Sequence, residues 1–226
     1  MKRILLVTNK SWHDQLYENL SSDQYDMECL RVTNMEKFTF ELCQSFLPDW
    51  IFIPHWSNMI SEEIFENYRC VVFHMTDLPY GRGGSPLQNL IVRGQEETKI
   101  SAISVTEEVD AGDIYLKRSL NLNGTAEEIF IRSSKIIEEM INTIIKEQPQ
   151  PKVQSGDIVK FSRRKPEDGD ISNLESLKDV YDFIRMLDCE GYPKAFLETD
   201  KLKLEFTRAS LKADKSITAD VRISKK

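Results

Sequence analysis

The sequence predicts an α/β fold with a mostly parallel sheet, followed by a smaller C-terminal α+β subdomain. Short continuous apolar runs stand at Ile4-Leu5-Leu6-Val7, Trp50-Ile51-Phe52-Ile53 and Cys70-Val71-Val72-Phe73, each suited to a strand covered on both faces. Segments of helical spacing separate these runs, the alternation expected of parallel βα units. The 226 residues, 40% apolar and 30% charged, are enough for one substantial α/β domain with an appendage.

Taken in order, the first run is a buried strand and residues 14–20 a short helix. Residues 38–46 have helical spacing and stop before Pro48, which disfavours helical geometry in its predecessor. After the second strand, Ser61 caps a short helix with Ile64 and Phe65 inward, and the third strand ends at Phe73. The thirteen residues 74–86 hold three glycines and two prolines and predict an irregular loop. Leu87-Gln88-Asn89-Leu90-Ile91 is helical, and strands follow at residues 99–105 and 113–120 with Asp110-Ala111-Gly112 in the turn between them. Thr125-Ala126-Glu127-Glu128 matches a capping box. Behind it Ile129, Phe130, Ser133, Ile136, Ile137, Met140, Ile141 and Ile144 mark one helical face. Pro149-Gln150-Pro151 ends that helix. The chain therefore divides into residues 1–148 and a smaller subdomain, 149–226, with a helix over 176–187 and a β-like run at 202–206. There are no internal repeats.

Composition narrows the function. A formal charge of −7 does not steer a protein onto phosphodiester backbones, so nucleic acid is an unlikely partner. Arg163-Arg164-Lys165 is the one notable basic run, read as solvated surface ahead of an anion site. Cys29, Cys43, Cys70 and Cys189 form no C-x-x-C pair and have no His at ligand spacing, so neither zinc nor a disulfide framework is expected. Reduced structural thiols in a cytoplasmic protein fit better. The apolar run after Met1-Lys2-Arg3 is too short for a signal peptide, and nothing approaches the roughly 20 apolar residues of a membrane span.

Ligands of open parallel sheets lodge outside the carboxyl ends of the strands. Three segments fall there: Pro54-His55-Trp56-Ser57, residues 74–85 and residues 106–113. His74 follows a strand directly and suits proton transfer or oxyanion stabilisation. Asp110 reads first as a turn former; within reach of His74 it would orient the ring. Trp56 stands level between core packing and a ligand platform. Thr8-Asn9-Lys10-Ser11 after the first strand is neither a G-x-G-x-x-G nor a Walker loop, which argues against the usual dinucleotide and triphosphate modes.

The run Phe73-His74-Met75-Thr76-Asp77-Leu78-Pro79-Tyr80-Gly81-Arg82-Gly83-Gly84-Ser85-Pro86 resembles the histidine loop of folate-dependent formyltransferases. Val109-Asp110-Ala111-Gly112-Asp113 resembles their second motif, an apolar residue before Asp-x-Gly. Arg163-Arg164-Lys165-Pro166-Glu167-Asp168-Gly169-Asp170-Ile171, with Phe183-Ile184-Arg185 and Gly191-Tyr192-Pro193-Lys194-Ala195-Phe196, looks like the segment after the core in formyltransferases of nucleotide-linked amino sugars. The resemblance implies a Rossmann-like core, 10-formyltetrahydrofolate as co-substrate without a metal, and catalytic roles for His74 and Asp110. It implies folate contacts from Trp56, Leu78, Thr106, Val109 and Asp110, and amine-substrate contacts from Thr76, Gly81, Arg82 and Asn89. The family's Asn two residues before the histidine is absent, since Val72 stands there; Asn89 and a charged His74 are the candidates to replace its hydrogen bond to the oxyanion.

The leading expectation is transfer of a formyl group to a nucleotide-linked amino sugar, a UDP-linked 4-amino-4,6-dideoxy sugar of the pseudaminic acid type, with Arg82 meeting sugar or diphosphate. Other amines, such as methionyl-tRNA, and a catalytically inactive folate- or sugar-binding homologue are the alternatives. No membrane partner is expected, and a homodimer is left open.

Overall fold

The computed structural model describes residues 1–22 and 26–226. In chain order it contains β1 (Lys2–Val7), α1 (Asp14–Leu20), β2 (Met27–Val32), α2 (Phe40–Phe46), β3 (Trp50–Pro54), α3 (Glu62–Asn67), β4 (Cys70–His74), β5 (Tyr80–Gly83), α4 (Pro86–Val92), β6 (Glu97–Ser104), β7 (Ile114–Asn121), α5 (Ala126–Glu147), β8 (Val159–Phe161), α6 (Leu177–Leu187), β9 (Ala195–Glu198), β10 (Leu202–Leu211) and β11 (Ile217–Lys225). Two compact units result, one of residues 1–83, 98–120 and 131–160, the other of residues 84–97, 121–130 and 161–226.

A six-stranded sheet of order β2-β1-β3-β4-β6-β7 organises the first unit. β1 runs parallel to β2 and β3, and β3 parallel to β4, whereas β6 joins β4 antiparallel. The sheet is thus mixed and mostly parallel, a Rossmann-like arrangement. The continuous apolar runs explain its centre: Ile4, Leu5, Leu6, Ile51, Phe52, Ile53 and Val71 have no exposed surface, and burying one such side chain contributes about 1.5–3 kcal/mol. Leu5, Val7, Ile51 and Ile53 pack with Cys43, Phe46 and Ile64 from the helices on one face. The register pairs Pro54 with Phe73, so His55 and His74 are the next residues of two neighbouring strands.

Strands β2 and β5, with its partner β8, depart from the sequence expectation. β2 carries Glu28 and Arg31 within its run and is half-buried along most of its length; an edge strand need not be apolar throughout. Tyr80–Gly83, expected to be irregular, forms β5, paired in a two-stranded sheet with β8. Gly81 and Gly83 there have φ of 80° and 108°, which a residue without Cβ adopts freely.

The second unit carries the antiparallel sheet β11-β10-β9. Ser176 caps α6 by accepting the amide of Asp179 at 3.0 Å. On α6 the buried Arg185 donates to Asp182 at 2.6 Å and to the carbonyls of Leu122 and Gly124, so this internal charge is paired and bonded. The capping box forms as expected: the Thr125 amide donates to Glu128 at 2.8 Å and the Glu128 amide to Thr125 Oγ1 at 3.3 Å. Among the described residues no helix is long and apolar enough to cross a membrane.

Candidate active site

His74 closes β4 with 7% of its surface exposed. Its Nε2 lies 2.8 Å from the carbonyl oxygen of Gly81, which can only accept, so Nε2 carries a proton. Its Nδ1 faces Asp110 Oδ1 at 3.4 Å. The sequence expectation that these two side chains meet is therefore a fact of the geometry, in a place where both are nearly withdrawn from water.

Local backbone explains why Asp110 arrives there. It has φ of +57°, a left-handed conformation that Asp tolerates better than most side chains. Two residues on, a Cβ at Gly112 would stand 1.8 Å from the carbonyl oxygen of Ser104, so only glycine lets the turn close against the end of β6. The second carboxylate oxygen, Oδ2, accepts the amide of Gly83 at 2.9 Å. Behind the turn, Gln154 Nε2 donates to the carbonyls of Asp110 and Gly112, both at 2.8 Å. Arg82 in turn donates through Nε and Nη2 to Gln154 Oε1, at 3.1 and 2.8 Å, and its Nη1 lies 3.5 Å from Glu108.

A second cluster surrounds the neighbouring strand end. Trp12 Nε1 donates to His55 Nδ1 at 2.9 Å, and an indole nitrogen can only donate. His55 Nδ1 is therefore an acceptor and its Nε2, 2.9 Å from the sulfur of Met75, bears the proton. His13 Nε2 lies 2.9 Å from the same His55 Nδ1, and His13 Nδ1 lies 2.8 Å from Ser134 Oγ. Burial, followed by the nearby charges of Lys10 and His74, lowers the pKa of His55 to about 3. Burial and then His55 hold His13 well below its usual value. Neither His13 nor Gln154 stood out in the sequence, because their partners lie 42 to 121 residues away.

The remaining expected residues are placed as follows. Trp56 packs against the apolar cluster beneath β3, and its indole Nε1 is buried without a hydrogen-bond partner. That orphaned donor beside a strand end fits a ligand with polar ring edges, such as a folate. Leu78 lines a cavity of about 500 Å³ with Tyr115, Lys117, Lys152 and Val153. Val109 is 54% exposed and Thr106, also exposed, bonds the carbonyl of Glu108. Thr76 is fully buried and its hydroxyl, like His74, turns to the Gly81 carbonyl. Arg82 is buried and committed to Gln154 and Glu108, a loop-stabilising role. Asn89 spends its amide hydrogens on the carbonyls of Gly84, Ser85 and Ser162, all within its own unit, which leaves it no donor to replace the family's Asn. At that Asn's position, Val72 is half-buried in β4 and packs on the apolar cluster.

Residues 6–141 match the model described as "Formyl transferase", and residues 166–224 match "Methionyl-tRNA formyltransferase, C-terminal domain". The chain belongs to the formyl transferase family. Among solved structures, a methionyl-tRNA formyltransferase from Clostridium thermocellum is 50% identical over all of both chains, with a TM-score of 0.97. A curated methionyl-tRNA formyltransferase of Thermodesulfovibrio yellowstonii is 24% identical over 71% of this formyl transferase and 55% of its own length; the chain spans about half the length of that curated relative. A sugar N-formyltransferase from a Shewanella strain shares the fold, with a TM-score of 0.68 at 14% identity over 97% and 96% of the two chains.

These relatives correct the expected substrate. The nucleotide-linked amino sugar and the pseudaminic acid context do not stand, because the 50% identical structure and the matched C-terminal domain both bear the methionyl-tRNA formyltransferase name. The expectation that nucleic acid is an unlikely partner falls with them. It rested on net charge, and net charge hides where the charges are. The family uses 10-formyltetrahydrofolate, so the expected co-substrate stands.

Proposed function

We propose that this formyl transferase moves the formyl group of 10-formyltetrahydrofolate onto the α-amino nitrogen of methionyl-tRNA. The observation that carries the reading is end-to-end likeness at 50% identity to a methionyl-tRNA formyltransferase, C-terminal domain included. Charge distribution supports it. Residues 201–226, the segment of the β10–β11 hairpin, hold eight Lys and Arg against three Asp and Glu, a net +5 in a chain of net −7. A basic hairpin within an acidic chain suits a phosphodiester ligand better than the net charge alone suggests.

The chemistry follows from the dyad. A neutral amine attacks the formyl carbon, the formyl oxygen becomes negative, and the new ammonium must lose a proton. With Nε2–H given to Gly81, His74 turns Nδ1 to a carboxylate, and two acceptors face each other unless a proton lies between them. A proton there would make His74 a cation beside the developing oxyanion, with Asp110 the base that balances it and draws off the ammonium proton. The buried surroundings keep both groups poorly hydrated, which strengthens their action.

The test is direct. Purified protein, 10-formyltetrahydrofolate and charged initiator methionyl-tRNA should yield formyl-methionine, read by mass spectrometry after ester hydrolysis. His74→Ala should abolish it while retaining the fold. Absence of product with the parent protein, under conditions where an authentic methionyl-tRNA formyltransferase turns over, would end the proposal.

A further inference from the structure

We propose that Gln154 is a positioning residue for the reaction, setting the place and angle of the Asp110 carboxylate against His74. The kinetic half of this inference rests on the formyl-transfer reading above; the spectroscopic half does not.

The side chain of Gln154 uses its whole hydrogen-bonding capacity. Two amide hydrogens reach the carbonyls on either side of Ala111, and two lone pairs take bonds from Arg82, so no other group completes the pattern. What it joins matters more. Asp110 stands at φ +57°, a conformation an L residue keeps only when its surroundings enforce it. The carboxylate is held in front by the Gly83 amide, and the backbone behind it by Gln154. Arg82, adjacent to Gly83, is held by the same glutamine. One amide thus ties the Asp-x-Gly turn to the histidine loop, fixing both the group that faces His74 Nδ1 and the amide that orients that group. At 3.4 Å the His74–Asp110 contact is long for a hydrogen bond, so a small shift of the turn decides whether it can form.

Glutamate separates this role from a merely structural one. Gln154→Glu keeps, and strengthens, the acceptor for Arg82, while it sets a carboxylate against two carbonyls and releases the turn. Nuclear magnetic resonance of the full-length protein, with the His74 ring assigned through His74→Gln, should show its Nδ1 and Cε1 signals displaced in Gln154→Glu. Unmoved signals would overturn the proposal, whatever the enzyme's substrate. In turnover, kcat should fall about 10- to 100-fold, as sub-ångström misplacement does, with KM for the formyl donor within about two-fold of the parent.

The same substitution in an Asp110→Asn background should cost less than about two-fold more, because residues acting as a unit are not additive. An equal loss in both backgrounds would show a structural staple and refute the assignment. Should Gln154→Glu fail to fold, Gln154→Met, similar in volume and without partners, is read by the same criteria. A parent protein without turnover would count against the reaction while leaving the spectra to decide the role of Gln154.

Discussion

His74 and Asp110 meet because glycine and a left-handed turn allow it, and substitutions at that turn should be felt in rate before stability. Asp110→Asn keeps the shape but removes the charge that balances the ring; kcat should fall by about 10²- to 10⁴-fold, the range general acid–base groups supply, with melting temperature little changed. Gly112→Ala forces a methyl into the carbonyl of Ser104. It should cost about 1–3 kcal/mol, as overpacking does, and activity should fall further than that loss explains, checked by comparing urea unfolding with turnover on the folded fraction. The sequence named His74 and Asp110 through motifs of local residues. It could not name Gln154, whose partners are Asp110 and Arg82, 44 and 72 residues back, and whose setting among prolines and polar residues reads as linker.

Elements were legible where they bury a continuous face. β1, β3 and β4 announced themselves by apolar runs, and α5 by its capping box and period. Thr125→Ala should remove about 1 kcal/mol, the usual worth of such a cap, seen as a lower urea midpoint at unchanged slope. β2 escaped notice because an edge strand tolerates Glu28 and Arg31, and β5 because its glycines look like a loop. The ends of the elements carry a pH dependence. Unfolded, His13 and His55 bind protons below about 6.5; folded, both are held neutral, His55 down to about 3. Below 6.5 the unfolded chain holds more protons, so stability falls as pH falls towards 3. His13→Gln should flatten the difference between urea midpoints at pH 7.5 and pH 5.0, and an unchanged difference would contradict the neutral pair.

At the scale of the molecule, the sign of the charge depends on where it is read. The whole chain is acidic, yet residues 201–226 are basic, and a tally over the sequence misjudged the partner for that reason. If methionyl-tRNA is the substrate, binding should weaken steeply with salt, log Kd rising linearly with log salt by about 0.7–0.9 for each phosphate contacted. Lys203→Glu and Arg222→Glu together should lower that slope, measured by titrating labelled tRNA at several potassium chloride concentrations, and leave turnover at saturating tRNA close to the parent's. Order along the chain adds one last point. During synthesis the imidazole and carboxylate emerge well before residue 154, so a nascent chain carries both reactive groups while the amide that braces them is still unmade. Competence must then arrive late, and ribosome-stalled chains ending on either side of that residue should differ in how firmly the turn resists proteolysis.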